Sequence, residues 1–167
     1  MSLDGYIADE DGNYDWIVPV PSPGLDTADP LPFGAFLEDI DVVVMGRNCY
    51  DQGLHRDYAD LGKRLIVATS SPPAPVPDED FVEFSRDVVD TVRAARDEGR
   101  HCFLFGGGML VETFLTENMI DALTVGIVPV LLGKGRPLFG DRHPQLDLAL
   151  TACAVQDSKV RLAYRRR

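Results

Sequence analysis

Short apolar runs rich in β-branched residues alternate along this chain with amphipathic segments of helical length. Residues 42–45 and 65–68 are bounded by glycine, arginine or serine, which is typical of strands buried on both faces of a sheet. Residues 87–98 carry apolar side chains at helical spacing and are followed by Gly99, a pattern that predicts an amphipathic helix with a glycine stop. The alternation of the two patterns predicts an α/β architecture.

A strand, a run of glycines and a helix follow one another in the second half of the chain. Residues 101–105 form a predicted buried strand, which continues through Gly106, Gly107 and Gly108. Residues 109–116 then present an apolar helical face. This stretch is therefore predicted to be a strand, glycine turn and helix unit.

The C-terminal third has the pattern of antiparallel strands. Residues 122–132 are predicted as one strand, and residues 146–156 and 159–164 alternate at period two around Asp157 and Ser158. The predicted fold is a three-layer α/β sandwich with a central mixed, mostly parallel sheet and a C-terminal antiparallel hairpin. At 167 residues the chain is long enough for one core, and residues 1–167 are predicted to form a single domain.

Charge and hydropathy exclude two classes of partner. The formal net charge is −11, which argues against nucleic acid because phosphate backbones need a positive surface. The longest apolar stretches, 42–45 and 127–132, are far shorter than the roughly 20 residues of a membrane span. We therefore expect an unexported, cytoplasmic protein that acts on a small molecule.

The charged residues are strongly biased in type. Of 27 acidic residues 20 are Asp, and of 16 basic residues only 3 are Lys. One hypothesis is adaptation to high salt, since molar salt shortens the screening length to roughly 3 Å and weakens repulsion on an acidic surface. The alternative is an ordinary acidic cytosolic protein. Salt adaptation predicts a melting temperature that rises between dilute buffer and molar KCl, and an unchanged or lower value would contradict it.

The glycine turn is the strongest local signal for a binding site. Phe105 is followed by three glycines, which let backbone N–H groups approach a ligand closely, and the start of the next helix carries about half a positive charge. The alternative is a tight turn that only packs helix on sheet. The spacing excludes two known phosphate cradles: the third glycine of G-x-G-x-x-G would fall at Val111, and Gly135 stands where a P-loop needs Ser or Thr.

Two other predicted strands also end in groups that suit a phosphate. Gly46, Arg47 and Asn48 follow the strand at 42–45, and the carboxyl ends of α/β strands are where ligands bind. From this segment alone, Arg47 could equally pair with a nearby carboxylate. Thr69 and the two serines after it end the strand at 65–68 with hydroxyls that could hold a phosphate, although such residues are often only turn formers.

The order of these motifs resembles a known family. The chain carries, in order, SLDGYIA from Ser2, DG at Asp11, DW at Asp15, MGR at Met45, TSS at Thr69, FGGG at Phe105 and PVLLGKGRPLF from Pro129. This order is similar to that of the reductases that share the dihydrofolate reductase fold, in particular the reductase domain of riboflavin biosynthesis proteins (RibD C-terminal domain type). The resemblance covers nearly the whole chain.

The resemblance implies NADPH as cofactor. It implies that the backbone at Ile7 and Ala8 contacts the nicotinamide carboxamide, and that Gly46, Arg47 and Asn48 bind phosphate and ribose. It also implies that Thr69, Ser70 and Ser71 bind the adenosine end. The pyrophosphate would be bound by the segment made of Phe105, Gly106, Gly107, Gly108, Met109 and Leu110.

The resemblance also implies an NADPH-dependent reductase that transfers hydride to a pterin- or pyrimidine-type small molecule, with Asp4 and Trp16 on the substrate side. Alternatively, Asp4 forms a turn before Gly5 and Trp16 is a core aromatic. The alternative function is a non-catalytic nucleotide-binding or scaffold homologue. A homodimer is expected, and no metal, because His55, His101 and His143 lack ligand spacing.

Some features depart from that family, and others are further candidates for the binding site. Only Asp29 lies at a spacing comparable to the acid of dihydrofolate reductase, which disfavours folate as substrate. The Pro- and Gly-rich segment 19–32 is a candidate lid. Lys134, Arg136 and Arg142 are candidate cations for a substrate phosphate, or solvated loop charges. Finally, family members usually have a strand before the SLDG motif, whereas in this chain the motif begins at Ser2.

Overall fold

The structure, a computed structural model, describes residues 1–28, 33–73 and 79–167. Asp29 and part of the predicted lid lie outside the described residues. The chain divides into two compact units. We call Gly34–Thr113 the parallel-sheet unit, and Met1–Phe33 together with Phe114–Arg167 the hairpin unit.

Strands and helices alternate through the middle of the chain, and strands alone follow the last helix. The strands are β1 Tyr6–Ala8, β2 Val42–Gly46, β3 Arg64–Ala68, β4 Val82–Ser85, β5 Cys102–Gly106, β6 Ala122–Ile127, β7 Arg136–Pro137, β8 Leu148–Gln156 and β9 Lys159–Arg166. The helices are α1 Phe33–Glu38, α2 Arg47–Asp51, α3 Val88–Asp97 and α4 Gly108–Thr116, with a 3-10 helix at Leu54–Leu61.

The parallel-sheet unit contains four parallel strands in the order β4, β3, β2, β5. Its two central strands are buried on both faces, which explains their continuous apolar sequence. On one face Val43 and Leu65 pack with Tyr50 and Tyr58 from α2 and the 3-10 helix, and α3 packs against β3 and β5. The strands predicted at 42–45, 65–68 and 101–105 and the helix predicted at 87–98 are confirmed.

The hairpin unit contains a three-stranded antiparallel sheet in the order β6, β9, β8. Asp157 and Ser158 join β8 to β9 with φ of 50° and 60°, the left-handed pair of angles that a two-residue hairpin turn needs. The predicted terminal hairpin is therefore confirmed. The α/β class, with a central parallel sheet and additional antiparallel strands, is confirmed as well.

The strand predicted at 122–132 is wrong in its second half, because β6 ends at Ile127. Pro129 has no N–H to give to a ladder. The N–H of Val128 bonds to Met1 O at 2.9 Å, and that of Val130 turns back to Val128 O at 2.8 Å. The chain therefore leaves the sheet and runs beside the N-terminal residues. In the described part of the chain, no helix combines the length and apolar character needed to cross a membrane.

Candidate functional site

The carboxyl ends of three parallel strands bring the predicted cofactor residues together within the parallel-sheet unit. Gly46 at the end of β2 is in register with Ala68 at the end of β3. On the other side of β2, Met45 is in register with Gly106 at the end of β5, after a bulge. The MGRN, TSS and GGG segments therefore start from one edge of the sheet, as the sequence predicted.

Arg47 connects two of these segments. Its Nη1 donates to Ser71 O at 2.7 Å, and its Nε donates to Asp51 Oδ1 at 2.7 Å, within α2. The carboxylate pairing considered as an alternative for Arg47 is therefore present. The same guanidinium also links the loop after β2 to the loop after β3.

The Thr69–Ser71 turn holds its own shape. The N–H of Ser71 donates to Thr69 Oγ1 at 3.2 Å, and the N–H of Thr69 donates to Ser85 O of the neighbouring strand at 2.9 Å. Ser70 and Ser71 are exposed. Their hydroxyls are thus held at the surface by a turn whose backbone is fixed to both sides.

The glycine bend is partly accessible: Gly106 is buried, whereas Gly107 and Gly108 are partly exposed. Gly106 and Gly107 have φ of 133° and 94°, and a Cβ built on either would meet no atom within 4 Å. Helix α4 begins at Gly108, and the exposed side chain of Met109 extends from its first turn. The N–H groups of Leu110 and Val111 donate to Gly107 O at 2.9 and 3.0 Å, so a ligand would use the N–H groups that precede them. The bend therefore offers backbone donors beside open space, the arrangement that an anionic phosphate requires.

The side chains of two residues that flank the glycine bend pack in the protein interior. Leu110 is buried. The ring of Phe105 packs edge-on against Tyr58, with ring centroids 5.7 Å apart, and against Phe103. Phe105 and Leu110 therefore position the bend, and their side chains pack in the interior.

Sequence reasoning missed one cation at this edge, Arg86. It follows β4, which was not predicted, and it is exposed. Ala68 at the end of β3 is in register with Ser85, so Arg86 begins beside the Thr69–Ser71 turn. The signal that could have found it is the Val-Glu-Phe-Ser run just before the helix at 87–98.

In the hairpin unit, Asp4 binds a distant loop. Its carboxylate accepts the N–H of Gly133 at 2.7 Å, the N–H of Leu132 at 3.2 Å and the Ser2 hydroxyl at 2.6 Å. Ser2 is fully buried, and its Oγ also accepts the N–H of Tyr6. The Ser2 hydrogen bond, followed by the backbone bonds from Gly133 and Leu132, lowers the pKa of Asp4. Asp4 is therefore an ionised carboxylate that holds the 132–133 turn.

The segment that contains Ile7 and Ala8 is held by the same loop. Strand β1 pairs with β7 in antiparallel register. Gly135 comes just before β7 and lies close to Ala8 of β1. A Cβ on Gly135 would stand 2.3 Å from Ala8 O. Two loop cations considered for a substrate phosphate are engaged within this unit: Lys134 pairs with Glu10, and the Arg136 guanidinium lies over Gly12.

Trp16, the other residue predicted on the substrate side, carries an unusual donor. Within residues 1–28, 33–73 and 79–167, its Nε1 is a buried side-chain nitrogen without a hydrogen-bond partner. An unpaired buried donor costs about 1–3 kcal/mol. A ligand that brings an acceptor to this nitrogen would remove that cost.

The chain is similar to proteins of one family over nearly its whole length. The sequence profile of the RibD C-terminal domain family matches residues 1–162. The uncharacterized protein YwjB of Bacillus subtilis is 31% identical, over 98% of this chain and 92% of its own length.

Solved structures give the same result. A Shewanella sp. PV-4 protein that bears the name riboflavin biosynthesis protein is 32% identical to this chain. The match covers 100% of this chain and 95% of that one, and the two structures superpose with a TM-score of 0.81. A Thermotoga maritima diaminohydroxyphosphoribosylaminopyrimidine deaminase/5-amino-6-(5-phosphoribosylamino)uracil reductase shares the fold, with a TM-score of 0.68 at 19% identity. The match covers 99% of this chain and 54% of that one. The resemblance predicted from the sequence motifs is therefore confirmed, and the chain belongs to the RibD C-terminal domain family.

Proposed function

We propose that this protein is an NADPH-dependent reductase that transfers hydride to a pterin- or pyrimidine-type small molecule. The observation that carries the proposal is the convergence of the MGRN, TSS and GGG segments at one sheet edge, around a glycine bend with open space above it. Family membership supports a reductase of the riboflavin-pathway type.

The glycine bend fits a pyrophosphate better than any other part of this edge. A pyrophosphate is doubly charged, whereas this chain has a net charge of −11, so binding needs local donors. The N–H groups at the start of α4 supply them, and the helix dipole adds to their effect. Arg47, which follows the neighbouring strand β2, adds a guanidinium that Asp51 and Ser71 already hold in place.

Arg86 and the hydroxyls of Thr69–Ser71 would hold the phosphate that distinguishes NADPH from NADH. Hydrogen bonds to charged groups contribute about 1.5–3 kcal/mol. We therefore expect Arg86→Gln to lower the preference for NADPH over NADH about 10- to 100-fold, as measured by calorimetric titration with each dinucleotide. Arg64→Gln is the matched control, because Arg64 is an exposed arginine at the opposite end of β3. An unchanged preference for NADPH over NADH in Arg86→Gln would show that Arg86 does not bind this phosphate.

On the substrate side, the chain's own residues act by positioning. The bound nicotinamide would supply the hydride. Asp4 is an ionised carboxylate that holds the 132–133 turn, so we assign it a positioning role. The proton that the reaction needs would come from water or from another group. Trp16 would donate its unpaired Nε1–H to an acceptor on the substrate.

Dinucleotide binding gives the first test of the function. At a hundredfold excess over its dissociation constant, NADPH should raise the free energy of unfolding by about 2.7 kcal/mol, and NADH should raise it less at the same concentration. Oxidation of NADPH with pterin and pyrimidine substrates then tests the reaction by loss of nicotinamide absorbance. Stabilisation by neither dinucleotide would overturn the proposal, and binding without oxidation of NADPH by any of these substrates would favour the non-catalytic homologue.

A further inference from the structure

A buried polar cluster lies apart from the proposed binding edge, within the parallel-sheet unit. It consists of Tyr50 on α2, His55 on the 3-10 helix, and Glu79 just before β4. His55 is only 2% exposed, and its ring stacks on that of Tyr50, with centroids 4.3 Å apart. Glu79 accepts the Tyr50 hydroxyl through Oε2 at 2.5 Å and lies 3.0 Å from His55 Nε2 through Oε1. Three separate chain segments meet in this cluster.

The hydrogen bonds of the cluster fix where its protons must be. His55 Nδ1 lies 3.1 Å from Tyr50 O, a main-chain carbonyl that can only accept. Nδ1 therefore carries a hydrogen. A neutral ring would then direct the lone pair of Nε2 at Glu79 Oε1, and two acceptors would face each other at 3.0 Å. A second proton must lie between Nε2 and Oε1.

The surroundings decide which partner holds that proton. Glu79 Oε2 already accepts the Tyr50 hydroxyl, and this hydrogen bond is the largest of the causes that lower the pKa of Glu79. Arg56 Nη2 approaches Glu79 Oε1 to 4.0 Å from the exposed side. The carboxyl group therefore stays ionised, and the proton belongs to the imidazole.

We propose that His55 bridges the Tyr50 carbonyl and the Glu79 carboxylate as an imidazolium, and that this ion pair positions α2. Tyr50 is held at both ends, its carbonyl by His55 and its phenol by Glu79, and α2 begins with Arg47 and Asn48. A buried ion pair adds little net stability, and in some proteins it fixes one geometry among alternatives. That His55 thereby affects dinucleotide binding rests on the proposed function, whereas its protonation and the placement of α2 do not.

Nuclear magnetic resonance of the 15N-labelled protein tests the protonation state. The chain has only three histidines, and His101 and His143 lie outside the cluster. At pH 7.5 both ring nitrogens of His55 should carry a proton. When the pH is raised until the Nε2 proton is lost, the backbone amides of Arg47 and Asn48 should shift with the same midpoint as the His55 ring. Tyr50 is the less acidic group, because its hydrogen bond to Glu79 raises its pKa.

Glu79→Gln separates the ion pair from mere packing. A glutamine amide can donate to a neutral His55 Nε2 while its oxygen still accepts the Tyr50 hydroxyl. The variant should therefore keep the fold, carry only the Nδ1 proton at pH 7.5, and lose the pH-dependent shifts of Arg47 and Asn48. Glu83→Gln is the control, since Glu83 is an exposed carboxylate on β4 that pairs with Arg64.

Two results would overturn the proposal. A singly protonated His55 ring in the wild type at pH 7.5 contradicts the imidazolium. Deprotonation of His55 without matching shifts at Arg47 and Asn48 contradicts the positioning role. NADPH affinity should fall with the same midpoint in the wild type and stay flat in Glu79→Gln. Failure of NADPH to bind would sink the proposed function, while the resonance measurements would still decide the role of His55.

Discussion

Gly135→Ala should lower the free energy of unfolding by about 2 to 5 kcal/mol, from backbone strain together with overpacking. Gly135 has φ of 152°, a conformation that residues with a Cβ rarely adopt, and a Cβ there would stand 2.3 Å from Ala8 O and 3.3 Å from Asp9 Cα. These are backbone atoms of β1 and the residue after it, so they cannot rotate away. Either β1 separates from β7 or the loop at 132–135 moves. Chemical denaturation followed by circular dichroism measures the change.

Gly133→Ala is the matched control in the same loop. Gly133 also has a positive φ, of 75°, but its Cβ would meet no atom within 4 Å. Only the left-handed backbone should matter there, at about 1–2 kcal/mol. Equal losses in the two variants would show that the close approach of Gly135 to Ala8 does not constrain the fold.

Gly107→Ala should weaken NADPH binding about 10- to 100-fold, which is the range expected when hydrogen bonds to a charged group are lost. The new methyl would enter the space above the glycine bend, where the structure has no atom within 4 Å and where we propose that the pyrophosphate binds. The alanine would also strain a residue with φ of 94° and tilt the N–H groups at the start of α4. Calorimetric titration with NADPH measures the loss of affinity.

Gly99→Ala controls for the strain. Gly99 follows α3 with φ of 79°, and a Cβ there would also meet nothing within 4 Å. Both variants should therefore lose about 1–2 kcal/mol of stability, but only Gly107→Ala should lose affinity. A parallel fall in affinity in Gly99→Ala would mean that general destabilisation is responsible.

The sequence predicted those elements whose pattern is local and repeated. β2 and β3 are continuous apolar runs because both faces are buried, and α3 carries three buried residues at helical spacing. Elements with less periodicity were missed. β4 has only four residues at a sheet edge and α2 only five, so neither completes enough of a pattern to stand out. β6 was predicted too long because Pro129 was not weighed against the apolar residues around it.

The candidate site was predictable where it depends on strand ends and not where it depends on distant contacts. Gly46, Thr69 and Gly106 converge because parallel strands end at the same edge, which the order of strands and helices implies. The bond from Gly133 to Asp4 joins residues 129 positions apart, and no local pattern signals it. Such contacts change the interpretation of Asp4 from a candidate for chemistry to a residue that positions a loop.

Backbone amide resonances followed during a titration with NADPH give the most direct test of the central claim, that a dinucleotide binds at the carboxyl edge of the parallel sheet. We expect the amides of Gly107, Gly108 and Met109 to shift most, together with those of Arg47 and the Thr69–Ser71 turn, all with one dissociation constant. Saturable shifts confined to other residues, or no saturable shift at the glycine bend, would contradict the account.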